Sequence, residues 1–464
     1  MVIAIQDKRM EKVLNPLQVI AVFDEISRVW NEKYLDKYAY ALAEQSIYFP
    51  EDANAEAYYV GTMMQKDYLK SFLINQNDGF SDFESVMSAI NDYRKEIENP
   101  AIFILGSGNI SIPLIMNIII GILTNQHIYY RASAGNAAAI RVWLESLTDP
   151  ELLADLRIRD QDLDCVMLCI RQEIEEISLS HEDEAYKNKL KTLPVQKAYL
   201  WGGAEAIENT IQMLDSSVEI FSFGPRTGVL LVETDWWSNL AQLDKIEIAN
   251  AIYKNILSND AAMCSSPTIG IIIGSEQEAE TTLNEIMQLI QHQDTEKLRL
   301  SRPILLDASK HRISMQQWVK FGFKLYSPQG SITKFALGDL LAHQRKNQFF
   351  TTPGEYHASA GSLEIIRFNA NELQDAASLI SHLQLEIRYK GLWSVGHLIT
   401  VMNPKSIIQL LEFLKMFQES DFSLRKDPNV MKVEAIRIVD VRENIGRKPG
   451  DRLDGIALGS SLLK

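Results

Sequence analysis

Apolar residues return every third or fourth position through "QVIAVFDEISRVWNEKYLDKYAYALAEQS", which predicts a mainly helical segment over residues 1–95. The pattern then changes. "AIFIL" is a short continuous apolar run and predicts a strand, "GSGN" a turn, "ISIPLIMNIIIGILTN" a helix and "HIYYRAS" a second strand. "AGNAAAIRVWLESLTD" predicts another helix, and "CVMLCI", an alternating apolar stretch, predicts a buried strand. A third round runs from "KAYLWGGAEAIENTIQML" into "EIFSFG" and "TGVLLVE". Strands alternating with helices in this way predict a parallel sheet with helical crossovers, which suits a nucleotide-binding α/β domain.

The second half repeats the alternation. "LAQLDKIEIANAIYKNILSN" is a helix leading to Cys264, "TIGIIIG" a strand, and "EQEAETTLNEIMQLIQHQ" a periodic helix whose carboxylates form a solvated face. "LEIIRF" and "LITVM" predict further strands, followed by the helix "SIIQLLEFLKMF" and the strand "VEAIRIVD". The ending "RENIGRKPGDRLDGIALGSSLLK" is rich in glycine and charge, as an arm or tail would be.

At 464 residues the chain needs two or three domains. Its net charge of −15 is spread along the sequence and no basic stripe is visible, which argues against a nucleic-acid binder. Three cysteines do not make a disulfide framework and fit a reducing, cytoplasmic setting. Cys165 and Cys169 lie four apart, but no second Cys/His cluster follows, so no metal is expected. The first residues have no basic region followed by an apolar core and a cleavage site, so no signal peptide is expected. The stretch 101–123 is long enough to span a bilayer, but Gly-Ser-Gly-Asn divides it into strand, loop and helix, and no membrane span is expected.

Three features carry chemistry. Cys264, in "SNDAAMCSSPTIGIIIGS", lies beyond a helix end and before a buried strand. A cysteine near backbone donors can be held partly as thiolate and attack a thioester, though a lone cytosolic cysteine is more often inert packing. Asn109 projects from the Gly-rich turn as a sensible oxyanion donor. "WGGAEAIENT" opens a helix whose free N–H groups can meet a phosphate, although such a start is more often structural.

The order of the pieces resembles the aldehyde dehydrogenase superfamily, and within it the LuxC-type acyl-CoA reductase branch. "LGSGNISIPLIMNIIIGILTN", "YYRASAGNAAAIRV", "YLWGGAEAIENTI", "FSFGPRTGVLLVE" and "NDAAMCSSP" look like that family's blocks, in its order, and "RLDGIAL" resembles its C-terminal signature. The resemblance implies an aldehyde dehydrogenase-like α/β fold: a Rossmann-type NAD(P)-binding domain with a helical N-terminal region over 1–230, a catalytic α/β domain over 231–440, and an oligomerisation arm over 441–464.

It also implies roles. Cys264 matches the nucleophile and Asn109 the amide of the oxyanion hole. Arg131 takes the place of a lysine that reaches the adenosine ribose or its 2′-phosphate, with Ser133 in the same strand-end loop. Gly202 and Gly203 match the turn near the pyrophosphate, and Gly224 the turn beside the nicotinamide. His357 falls loosely where relatives contact the nicotinamide ribose; it is a ribose contact, a proton shuttle or, the favoured reading, a surface histidine. His397 aligns with no functional residue. Guanidinium reads phosphate bidentately, so Arg131 favours NADPH over NADH, although stacking on adenine would carry no such preference.

Hydrolytic relatives carry a water-activating glutamate where this chain has Ser222, with Glu219 three residues earlier. The expected reaction is therefore reduction of a fatty acyl thioester, from acyl-CoA or acyl-carrier protein, to the aldehyde through a cysteine thioacyl-enzyme. The expected partners are a second copy of the chain and an acyl-protein synthetase or acyltransferase. Two rivals stand beside it: an aldehyde dehydrogenase oxidising a free aldehyde, and a catalytically silent subunit scaffolding an acyl-activating partner.

Overall fold

The computed structural model describes residues 14–45, 50–77, 79–96, 100–108, 110–178, 183–224, 226–257, 267–291, 324–326, 334–338, 362–368, 372–386, 394–421, 433 and 436–443. Five helices come first: α1 (Pro16–Lys33), α2 (Leu35–Gln45), α3 (Pro50–Met63), α4 (Lys66–Asn75) and α5 (Phe83–Glu96). α1 starts where the Asn15 side chain accepts the Leu17 N–H and Pro16 takes the first helical position, and it buries Val19, Ile20, Phe23, Ile26 and Trp30. Trp30 lies against α3 only because residue 61 is glycine; a Cβ there would stand 2.5 Å from the indole.

Five parallel strands form the first sheet, in the order β3-β2-β1-β4-β5. They are β1 (Ala101–Leu105), β2 (His127–Arg131), β3 (Ile174–Glu176), β4 (Lys197–Trp201) and β5 (Glu219–Phe223). Between them run α6 (Ile112–Leu123), α7 (Ala137–Ser146), α8 (Pro150–Arg159), α9 (Gln161–Gln172), α10 (Glu184–Lys191) and α11 (Ala204–Met213). The apolar stretch that could have crossed a bilayer is a strand and a buried helix: β1 is wholly buried, and so is α6 from Pro113 to Leu123. Among the described residues no helix is long and apolar enough to cross a membrane.

One face of this sheet, with Ile102, Ile104 and Tyr130, packs on α6 to α9 and on the N-terminal helices in a single core. The other face, with Phe103, Leu105 and Leu200, packs on α10 and α11. The helical N-terminal segment is therefore part of the sheet's own hydrophobic layer.

The strand expected at "CVMLCI" is a correction. Those residues lie within the helix α9, whose N-cap Asp160 accepts the Asp162 N–H at 3.0 Å. Val166, Met167 and Ile170 are buried while Cys165 and Leu168 are exposed, a helical spacing and not an alternation. The strand in this part of the chain is β3, three residues long and just beyond the helix.

The chain leaves the first sheet after β5 and enters the second at β6 (Arg226–Glu233). Then follow α12 (Thr234–Ser238), α13 (Gln242–Leu257), β7 (Pro267–Ile273), α14 (Glu276–Gln291), β8 (Lys324–Tyr326), β9 (Lys334–Gly338), β10 (Ser362–Phe368), α15 (Glu372–Glu386), β11 (Ser394–Val401), α16 (Pro404–Ser420) and β12 (Arg437–Asp440). The order is β12-β11-β6-β7-β10-β9-β8, parallel except for the pairing of β8 with β9. Apolar clusters cover both faces, one with α15 and α16 and one with α13 and α14, as a parallel sheet requires.

Candidate functional site

In the first sheet β2 and β3 extend to one side of β1, and β4 and β5 to the other. The crossover helices accordingly change face between β1 and β4, and in open α/β sheets such a switch point is where ligands bind, outside the carboxyl ends of the strands. The described segments expected to meet a cofactor emerge at this edge. β1 ends at Leu105, which is in register with Arg131 at the end of β2 and with Leu200 in β4. Trp201 at the end of β4 is in register with Phe223 at the end of β5, and their rings stack at 3.8 Å.

The turn after β1 is tied to the turn after β2. The Gly106 N–H donates to the Arg131 carbonyl at 2.8 Å, and Asn136 Nδ2 donates to the Ser107 carbonyl at 3.0 Å. Gly106 permits this approach, since a Cβ would stand 3.2 Å from the same carbonyl oxygen. Ser107 Oγ closes the turn by donating to the Ile110 carbonyl at 2.7 Å. Asn109 lies outside the described residues, between Gly108 and Ile110, which are described.

Arg131 shares its sheet face with Leu105 and α10. Its guanidinium stands 4.2 Å from the centre of the Tyr186 ring. Burial pushes the Tyr186 phenol up, and the neighbouring Arg131 charge works against that rise. The same face carries the start of α11. Gly202 has φ +152, a conformation that side chains rarely adopt, and Gly203 is the N-cap, with no side-chain hydrogen bond to the helix. A Cβ on Gly203 would meet no protein atom within 4 Å, so that space is open to a ligand. Gly224 is buried directly after β5.

Among the described residues, Ser133 Oγ, Asn136 Oδ1 and Trp201 Nε1 at this edge are buried with no protein hydrogen-bond partner. Such atoms are costly unless a ligand or water meets them. With a helix N-terminus left uncapped by any side chain and a cation held on an aromatic ring, this set of donors and one amide acceptor fits a dinucleotide.

Cys264 and His357 lie outside the described residues. Glu219 is at the amino end of β5, opposite Lys197, so the strand carries it roughly 13 Å from the carboxyl edge. It cannot take the place of the glutamate missing at Ser222. His397 is buried within β11 of the second sheet. Among the described residues no group of three or more His, Cys, Asp or Glu side chains could hold a metal. Sequence reasoning missed Asn136 and Tyr186; "GNAAA" carried an N-cap signal for the first, and nothing local marked the second.

Comparison with known proteins bears on this geometry. The family described as Acyl-CoA reductase (LuxC) matches residues 13–317. No curated protein matches the chain. Among solved structures, the chain is similar to a succinic semialdehyde dehydrogenase from Streptococcus pyogenes in complex with NADP+, with TM-score 0.59 and 10% identity, covering 88% of this chain and 81% of that one. A glyceraldehyde-3-phosphate dehydrogenase from Methanocaldococcus jannaschii complexed with NADP gives TM-score 0.54 and 14% identity, over 87% and 80%. An NAD-dependent benzaldehyde dehydrogenase from Corynebacterium glutamicum gives 0.56 and 9%, over 94% and 82%. These likenesses establish the aldehyde dehydrogenase-like fold.

Proposed function

The chain belongs to the LuxC acyl-CoA reductase family, and we propose that it reduces a fatty acyl thioester to the aldehyde with a nicotinamide cofactor. The observation that carries the reading is the convergence of four turns at one carboxyl edge, where Arg131, Ser133, Gly202, Gly203 and Gly224 gather beside unpartnered buried polar atoms. Arg131 would meet the adenosine end, with NADPH favoured over NADH. The first N–H groups of α11 would meet the pyrophosphate. Residues 1–230 would then form the cofactor domain, 231–440 the catalytic domain and 441–464 an arm between copies, in a cytoplasmic homo-oligomer.

The Cys264 thiolate attacks the thioester carbonyl. A new carbon–sulfur bond forms, the bond to the CoA or carrier sulfur breaks, and that sulfur leaves as a thiolate that takes a proton from solvent. Asn109 and backbone N–H groups hold the oxyanion. A reduced nicotinamide held at this edge would supply the hydride that the thioacyl carbon on Cys264 takes up. The resulting thiohemiacetal on Cys264 collapses to aldehyde and returns the thiolate. With Ser222 in place of a carboxylate, that position offers water no base, which favours a thioacyl-enzyme that persists for reduction.

The test is intact-protein mass spectrometry after mixing with acyl-CoAs of graded length, without reduced cofactor. A thioester adduct is expected on the wild type and absent from Cys264→Ala. A Cys264→Ala variant that still makes aldehyde would falsify the assignment. No adduct from any acyl-CoA or acylated carrier protein would favour the silent-subunit reading.

A further inference from the structure

The proposed acylation needs an amide donor placed by the turn between β1 and α6. One end of that turn is held by Arg131 and Asn136. The other is held by the N-terminal helices. Ser111 is the N-cap of α6, yet its hydroxyl makes no cap bond to its own helix. Its N–H donates instead to Glu56 Oε1 at 2.9 Å, and its Oγ–H donates to the same oxygen. The Tyr38 hydroxyl lies against Ser111 Oγ. A serine hydroxyl has one proton, and here it is directed at Glu56, so the phenol is the donor in that pair.

Glu56 lies on α3 and Tyr38 on α2, at 6% and 0% exposure. A glutamate this buried is rare and costs desolvation unless its oxygens are met. Packing alone does not call for it: the same α3 face buries Ala53, Ala57 and Val60, and an apolar residue would continue that stripe at lower cost. What the carboxyl group adds is a fixed acceptor for both polar groups of Ser111, two residues beyond Asn109.

We infer that Glu56, with Tyr38 behind Ser111, is a positioning residue: it fixes Ser111, two residues along the chain from Asn109, for acylation. The inference rests on the reading of Asn109 given above. It makes the helical N-terminal region part of the catalytic apparatus.

Acylation is read by mixing the full chain with octanoyl-CoA or hexadecanoyl-CoA, without nicotinamide cofactor, and following adduct mass and CoA release. Glu56→Ala is expected to slow adduct formation by about 10–100-fold, the scale of a small misplacement, with NADPH affinity unchanged. Glu56→Gln keeps an acceptor oxygen and should restore most of the rate. In an Asn109→Ala background, Glu56→Ala should slow acylation little further, because the group it positions is already gone. A full additive loss in that background, an equal loss of NADPH affinity, or an unchanged rate in Glu56→Ala overturns the inference. If Glu56→Ala does not fold, Ser111→Ala removes the hydroxyl link with the acid in place, and the same cycle applies. A slow Asn109→Ala beside a normal Glu56→Ala defeats the inference alone. An Asn109→Ala variant that acylates normally defeats the donor reading, and the inference with it.

Discussion

Asn136 reaches from the turn after β2 to the turn after β1, donating from Nδ2 to the Ser107 carbonyl at 3.0 Å. Beside it the Gly106 N–H donates to the Arg131 carbonyl. The turn carrying the proposed oxyanion donor and the turn carrying the proposed adenosine contacts are thus one hydrogen-bonded unit. Removing one of these two links is expected to disturb both turns, since each link joins them directly.

Asn136→Ala tests that coupling. Asn136 is 1% exposed, so its loss strands a buried carbonyl at a cost of about 1–3 kcal/mol. The expected variant is folded, unfolds at lower denaturant, and is weakened both in acylation and in NADPH binding. Loss of one activity with the other intact would show the two turns to be independent.

The two glycines that open α11 should respond differently. Gly202, at φ +152, is expected to lose roughly 1–3 kcal/mol of stability on conversion to alanine, from backbone strain. At Gly203 a Cβ meets no protein atom within 4 Å, so Gly203→Ala should cost only about 1 kcal/mol, through the poorer cap. It should nevertheless raise the KM for the cofactor, because the methyl group occupies the approach to the helix N-terminus. Unfolding curves and cofactor titration separate the two effects; a Gly203→Ala enzyme with unchanged KM would place the pyrophosphate elsewhere.

Much of this was legible in the chain. The runs "AIFIL", "HIYYR" and "KAYLW" are bounded by Gly-rich or polar turns, so each strand and the helix after it could be read from local pattern. "CVMLCI" could not, because a six-residue apolar run carries too little periodicity to separate strand from helix. The useful signal lay upstream, in Asp160 as N-cap and in Asp162 and Asp164 in the first turn of α9. Glu56 and Tyr186 were invisible for another reason. Glu56 takes its meaning from Ser111, 55 residues away, and no local pattern announces such a contact.

Tyr186 bears on cofactor choice. Its ring holds the Arg131 guanidinium at 4.2 Å from the centroid, which limits the rotamers open to a flexible side chain. Tyr186→Leu is expected to raise the KM for NADPH by roughly threefold to tenfold, the scale of one cation–π contact, and to change that for NADH less. Tyr186→Phe keeps the ring but loses the phenol's hydrogen bond with Arg131, so it should raise the KM for NADPH less than Tyr186→Leu does. Equal effects on both cofactors would mean that Arg131 does not read the 2′-phosphate.

Asp149 links the helical segment to the first sheet's layer, and its charge makes that link dependent on pH. Its Oδ1 caps α8 by accepting the Glu151 N–H at 2.8 Å, and its Oδ2 accepts the Tyr34 hydroxyl at 2.8 Å and Lys33 Nζ at 3.3 Å. Burial alone would push this carboxyl up, but the Tyr34 hydroxyl, the backbone N–H groups and Lys33 outweigh it and hold it below the usual carboxylate range. A depressed folded-state pKa stabilises the fold at every pH above the unfolded value, and that stability disappears as pH falls through the folded value. The loss therefore begins below about pH 4, where the unfolded chain takes up the proton first. Asp149→Asn keeps a cap acceptor but not the charge, so it should lose about 1–3 kcal/mol at neutral pH, the scale of hydrogen bonds to a charged group. That loss should shrink as pH falls below about 4. Urea midpoints of wild type and variant, measured from pH 7 down to pH 3, should converge as the acid protonates; a constant gap would assign the contribution to shape and not to charge.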